Sequence, residues 1–370
     1  MSEVIDIRKT DDVRDVVHQA VHCLSEGQLV AFPTETFYTV AAHALHPGAV
    51  AAVRELSAET PCVLGLKSAD EALDFLPRMS QLARKLARRC WPGPVTIAFD
   101  IDNGDGLLAA LPSETRETIC QQQKLRVRVV AHDVLREVLR LIPAPVVMTG
   151  ESLADGRSGR TSSQVLDACG SRVALVVDDG EVGQGQPSTV LDVDHRGWSI
   201  DRAGVVAQPE VQRLCGDVHL FVCTGNTCRS PMAAALFRHL LSTRLSCSEH
   251  DLVDHGYVVA SAGLAAGVGS PASPESIEVL RDHGIDLTGH SSRQLTRELL
   301  HQVDHVYTMT RGHRDAILRD CPDLAERVCL LSRDGRDIID PIGLGYEEYK
   351  KCQQEIEENV LVLLNALVEV

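Results

Sequence analysis

Residues 218–241 read VHLFVCTGNTCRSPMAAALFRHLL, a pattern that predicts a strand, a tight loop and a helix. The run ending at Val222 is short, apolar and rich in β-branched and aromatic residues, as a buried strand requires. Ser230 can cap the helix that follows, and Pro231 suits its first turn because no amide is needed there. Gly225 and Asn226 fall where the turn needs backbone freedom, since both residue types tolerate positive φ. A loop feeding a helix N-terminus turns successive N–H groups towards one point, where they can wrap a phosphate and favour the anionic form of a thiol. Cys223 opens that loop. Arg229 closes it, six positions later, with a planar fork able to hold two phosphoryl oxygens. One short segment thus supplies a nucleophile and an anion clamp.

The string CTGNTCRSP at 223–231 resembles the signature of the low-molecular-weight protein-tyrosine phosphatase family. Further matches follow in the family's order: Ser261-Ala262-Gly263, Gly289-His290 with Arg293-Gln294, Asp304 with Tyr307-Thr308-Met309, and Asp340-Pro341. The resemblance runs from about Val218 to the C-terminus. It implies a four-stranded parallel, doubly wound α/β domain in which Cys223 and Arg229 act with Asp340 as general acid. The phosphate- and substrate-binding loop would be Thr224, Gly225, Asn226, Thr227, Cys228 and Ser230. In such a scheme Cys223 becomes a cysteinyl-phosphate, and neither metal nor cofactor takes part. Ser230 either hydrogen-bonds the sulfur or caps the helix. Thr227 resembles the branch of the family acting on phosphoarginine in proteins, and Ile342-Gly343 stand where many tyrosine-specific members carry tyrosines. The expected substrate is therefore a phosphorylated protein, with phosphoarginine favoured over phosphotyrosine. Cys228 is either a disulfide partner that shields the nucleophile or a packing residue.

The first half of the chain alternates helices and strands. Apolar spacing predicts a helix over 11–24 ended by Gly27, another over 47–56, and strands at 29–32, 62–66, 95–99, 125–130, 146–149 and 191–193. Hydroxyls and a carboxylate gather at a strand end in Pro33-Thr34-Glu35-Thr36-Phe37-Tyr38, and Trp91-Pro92-Gly93-Pro94 is a stiff turn. These pieces, with Arg128 in VRV, PSTV at 187–190 and Arg202-x-Gly204, resemble the threonylcarbamoyl-adenylate synthase (YrdC-like) family over residues 1–206. The resemblance implies a twisted α/β sheet domain with a concave pocket for a nucleoside triphosphate, threonine and bicarbonate. Thr34, Thr36, Tyr38, Arg128, Ser188, Thr189 and Arg202 would form it here. Where the family carries Lys-x-Arg after the second helix, this chain has Ser57-Ala58-Glu59; its Ser-Ala-Asn is Thr149-Gly150-Glu151, and the Gly after its tyrosine is Thr39. Neutral and acidic residues in place of two cations repel a triphosphate. The domain is expected to keep the fold and to have lost, or much weakened, the synthase reaction. ATP with Mg is expected only if that reaction survives.

With 370 residues, the chain is long enough for two to three domains. The expected boundaries are 1–206, a short linker or linking helix at 207–216 marked by Gln208-Pro209-Glu210, and 217–370. The formal charge is −16, and both halves are acidic, which disfavours non-specific nucleic-acid binding. Arg84, Lys85, Arg88 and Arg89 form either a local basic patch or a solvated helix face. The 12 cysteines are scattered without Cys-x-x-Cys pairs, as in a reducing compartment, and no metal site is implied. His18 with His22 and His301 with His305 have helical spacing but lack a recognisable third ligand. No apolar run is long enough to span a bilayer and no signal pattern opens the chain, so a cytoplasmic location is expected. Three functions stay in view: a phosphatase with a degenerate partner domain, a bifunctional enzyme that also makes threonylcarbamoyladenylate for tRNA modification, and a phosphatase localised by an N-terminal module binding RNA or a nucleotide.

Overall fold

Aliphatic and β-branched runs pack into two separate sheets, one in each of two units, Met1–Leu214 and Cys215–Val370. The computed structural model describes residues 2–57, 60–101, 106–150, 153, 159–183 and 185–368. In the first unit the strands lie in the order Glu3–Asp6, Val173–Asp178, Leu29–Phe32, Thr39–His43, Val146–Met148, Val63–Gly65, Lys124–Arg128, Val95–Asp100, Thr189–Val193 and Trp198–Arg202. Parallel and antiparallel neighbours alternate irregularly, so the sheet is mixed. Thr39–His43 escapes the sequence reading because all five residues are buried, which erases the inside-outside alternation of a surface strand. Of the two readings of 207–216, linker or linking helix, the structure has the helix, Gln208–Cys215.

In chain order the second unit runs β1 (Asp217–Cys223), α1 (Arg229–Leu245), β2 (Tyr257–Gly263), α2 (Pro274–Arg281), α3 (Arg297–Gln302), β3 (His305–Thr308), α4 (Arg311–Asp320), β4 (Val328–Leu330) and α5 (Tyr346–Val368). The sheet order is β2-β1-β3-β4, with every pair parallel. Helices cover both faces, because parallel strands buried on both sides need apolar cover on both. Phe221 and Tyr307 pack with α1, α2 and α5 through Phe237, Val279, Tyr349 and Ile356. Leu220, Val222 and Val306 pack with α3 and α4 through Leu300 and Ile317.

The order reverses at β1, whose two neighbours, β2 and β3, both come later in the chain. In such sheets the crevice at the carboxyl end of the reversal strand is where ligands sit. β1 delivers Cys223 to that place. His301 lies on α3 and His305 on β3, so the helical spacing of that pair corresponds to no shared helix.

Candidate active site

Leu220, Phe221 and Val222 are wholly buried, and this anchored strand carries Cys223 into the crevice at 3% exposure. The chain then turns through Asn226, whose φ of 56° lies in the left-handed region that Asn tolerates better than most residues. That turn aims the Asn226 N–H at the Cys223 sulfur, 3.2 Å away. Ser230 Oγ lies 3.0 Å from the same sulfur. Of the two roles the sequence leaves open for Ser230, the structure has the contact with the sulfur and not the helix cap. α1 begins one residue earlier, at Arg229, and its N-cap position, Cys228, makes no side-chain capping bond. Ser230 therefore sits in the first turn with its hydroxyl turned towards the sulfur.

The Asn226 side chain holds the loop from three directions. Its amide donates to Ser230 Oγ and to Ser261 Oγ, each at 2.9 Å, and its carbonyl oxygen accepts the Arg293 N–H at 2.9 Å. The Asn226 backbone oxygen lies 2.7 Å from His290 Nε2. A carbonyl only accepts, so that nitrogen carries the ring proton. Burial lowers the His290 pKa, while the bond to Asn226 opposes the shift. Gly263, at the end of β2, has no room for a side chain: a Cβ there would lie 2.5 Å from the Thr224 oxygen and 2.9 Å from the Asn226 nitrogen. The loop thus rests directly on the backbone of its neighbour strand.

Arg229 is 4% exposed. Its Nη1 donates to the Ile338 oxygen at 3.0 Å, and its Nη2 is in contact with the Asp340 carboxylate. The two charged residues expected to work together are therefore brought together from sequence positions 111 residues apart. Arg229 Nε is buried with no partner among the described residues, so a donor is left for an incoming oxyanion. Thr227 is half-buried, and its carbonyl accepts the Ser273 N–H at 2.8 Å. Cys228 Sγ lies 3.2 Å from the Tyr349 hydroxyl. Burial first, and that contact second, raise the tyrosine's pKa. Thr224 Oγ1 lies 2.9 Å from His313 Nε2, and Gly225 faces open space apart from Thr227 Oγ1 at 3.6 Å.

Residues 219–370 match the family model described as low molecular weight phosphotyrosine protein phosphatase. Over 143 residues the chain is 41% identical to a protein-arginine-phosphatase of Geobacillus stearothermophilus, an alignment covering 37% of this chain and 87% of that protein. The chain belongs to the low-molecular-weight phosphatase family. Its C-terminal unit is a protein phosphatase.

The other half has its own relatives. Residues 22–204 match the family model described as telomere recombination. A threonylcarbamoyl-AMP synthase of Pyrococcus abyssi is 25% identical over 200 residues, 53% of this chain and 56% of that protein. A solved Sua5 structure from P. abyssi, at 19% identity and a TM-score of 0.51, covers 71% of this chain and 92% of its own and shows likeness of fold alone.

The N-terminal unit has a cavity of about 250 Å³ lined by Thr34, Thr36, Tyr38, Arg128, Ser188 and Arg202 among others. Thr189 does not join them. It is fully buried, with its hydroxyl exchanging hydrogen bonds with the backbone of Val206 at 2.8 and 2.9 Å. Several lining groups are already occupied. Thr34 donates to the Phe37 oxygen at 2.6 Å, and the Tyr38 hydroxyl lies 2.8 Å from the Gly180 oxygen as donor. Arg128 Nη2 lies 3.0 Å from both Glu35 and Thr36. Ser57 Oγ accepts the Gly150 N–H at 3.2 Å; Ala58, Glu59 and Glu151 lie outside the described residues. In the basic cluster, Arg84 donates to the carbonyls of Met79 and Pro77, and Arg89 to that of Leu214. These two guanidiniums serve the backbone as well as the surface.

Of the residues that meet here, the sequence singles out Cys223, Asn226, Arg229, Ser230 and Asp340 but not His313 or Tyr349. Ser261, His290 and Arg293 entered only as matching letters without a role. A histidine on α4 and a tyrosine on α5 carry no local pattern that separates them from ordinary core residues. Among the described residues no helix is long and apolar enough to cross a membrane.

Proposed function

We propose that the C-terminal unit hydrolyses phosphoarginine in proteins in two steps. The Cys223 thiolate attacks phosphorus in line, the bond to the guanidino nitrogen breaks, and Asp340 gives its proton to the leaving nitrogen. The Asp340 carboxylate then takes a proton from water, whose oxygen attacks phosphorus and releases phosphate and the thiolate. Arg229 and the loop amides hold the equatorial oxygens through both steps. The observation carrying this reading is the convergence of the Asn226 N–H and the Ser230 hydroxyl on the Cys223 sulfur, with Arg229 in contact with Asp340.

Preference for phosphoarginine over phosphotyrosine rests on Thr227, a small polar wall that admits a planar guanidinium, and on the likeness to the Geobacillus protein-arginine-phosphatase. The test compares kcat/KM for the two phosphorylated peptides in wild type and Thr227→Ile. The substitution is expected to shift the ratio towards phosphotyrosine by about 10- to 200-fold, the range a methylene-scale pocket change supplies. An unchanged ratio refutes the assignment, and full turnover by Cys223→Ser refutes the mechanism.

For the N-terminal unit the reading is a retained fold without efficient synthase chemistry. It is supported by the engagement of Arg128 with Glu35 and by the Ser57-Ala58-Glu59 stretch in place of two cations. The retained cavity favours a second reading, a surviving synthase. Pyrophosphate release from ATP with threonine and bicarbonate, abolished by Arg128→Gln, decides for that second reading. Binding of ATP or RNA without turnover decides for a localising module.

A further inference from the structure

The first turn of α4 touches both halves of the phosphatase site. His313 Nε2 lies 2.9 Å from the hydroxyl of Thr224, the residue that follows the nucleophile. Two residues earlier, the Arg311 N–H donates at 2.8 Å to Asp337, in the loop that presents Asp340. His313 is 7% exposed, and its Nδ1 is buried with no partner among the described residues. The charged groups acting on the ring are Arg229 from α1 and Asp340 and Asp337 from the loop that follows β4. No other hydrogen bond reaches the Thr224 hydroxyl among the described residues.

A neutral imidazole has one proton for two nitrogens. In the field of the Arg229 cation, a proton on the buried Nδ1 would leave an unpaired donor where positive potential is least welcome. The favoured tautomer carries the proton on Nε2, which donates to Thr224 Oγ1. The Thr224 hydroxyl then accepts from the ring, which fixes its side chain against α4.

We propose that His313 is a positioning residue of the phosphatase reaction: as a neutral imidazole it holds Thr224, and with it the start of the phosphate loop, in register with Asp340. This rests on the two-step reaction above. Burial and then the Arg229 charge lower the ring's pKa, which keeps it neutral at ordinary pH. Protonation in acid would add a second cation beside the site and a new donor that competes with Arg229 for Asp340.

The test uses the full chain with p-nitrophenyl phosphate as substrate and inorganic phosphate as inhibitor. Variants are Thr224→Val, His313→Leu, their double and His313→Gln, each checked for folding by calorimetry. Each of Thr224→Val and His313→Leu is expected to lower kcat by about 10- to 100-fold, the cost of a misplaced reacting group. The double variant should fall no further than the worse single, and the inhibition constant of phosphate should move less than about threefold. His313→Gln, whose amide can donate from a similar place but cannot titrate, should recover at least about tenfold over His313→Leu and lose less rate on acidification.

Multiplying effects in the double variant, or a glutamine no better than leucine with both folded, overturn the proposal. So does a phosphate constant that rises in step with the loss of kcat. If His313→Leu fails to fold, Thr224→Val and His313→Gln alone decide: an unaffected Thr224→Val refutes the role. A wild-type chain indistinguishable from Cys223→Ser removes the two-step reading and this role together, whereas an active wild type with an unaffected Thr224→Val removes only the role.

Discussion

Asn226 is the residue whose replacement tests the loop architecture most directly. Its side chain makes three hydrogen bonds at 2.9 Å inside a wholly buried setting. At about 1 kcal/mol net for each, Asn226→Gly should destabilise the C-terminal unit by about 3 kcal/mol. Asn226→Ala loses the same bonds and must also hold a φ of 56°, which costs a non-glycine residue about 1 kcal/mol more. For a unit of this size, about 1 kcal/mol moves Tm by about 2–4 °C, so glycine should lower it by about 6–12 °C and alanine further. The two units need not unfold together, so a single transition cannot be assumed. Both tryptophans, Trp91 and Trp198, lie in the N-terminal unit. Their fluorescence identifies that unit's transition, and calorimetry of the full chain then isolates the other. Both variants should also lose kcat/KM by about 100-fold, because the N–H that reaches the Cys223 sulfur is no longer held in place. Wild-type Tm and turnover in Asn226→Gly, or an Asn226→Ala more stable than Asn226→Gly, would refute this role for Asn226.

Gly263→Ala should force the phosphate loop away from β2, since the added Cβ would meet the Thr224 oxygen at 2.5 Å; a loss of about 1–3 kcal/mol by calorimetry and a matching fall in turnover are expected. Burial lowers the pKa of His290 and His313 below the ordinary 6.5. The unfolded chain therefore binds protons that the folded unit does not, and the stability present above about 6.5 is lost as pH falls below it. Urea midpoints of the C-terminal transition across that range should fall, and should fall less in His290→Gln. In the N-terminal unit, Arg128→Met leaves Glu35 without its cation and should cost about 3–5 kcal/mol, read from tryptophan fluorescence during denaturation; wild-type stability would show that the pair contributes little.

Local sequence decided a great deal. The apolar run into Cys223 and the left-handed turn at Asn226 are instructions read within a dozen residues, because strand burial and left-handed backbone are short-range properties, whereas the helix starts at Arg229, two residues before the Pro231 that marks it in the sequence. The same letters placed Arg229 and Asp340 as partners only through resemblance, and the folded sheet brings them into contact across 111 residues. What tertiary structure alone decided is how the loop is held. Ser230 faces the sulfur instead of capping, His290 and Ser261 grip Asn226, and His313 reaches Thr224 from another helix. In the N-terminal unit it likewise removed Thr189 from the cavity wall and joined Arg128 to Glu35. A hydrogen bond between distant residues leaves no periodicity in either segment, so such contacts are settled where the parallel strands converge on their carboxyl ends.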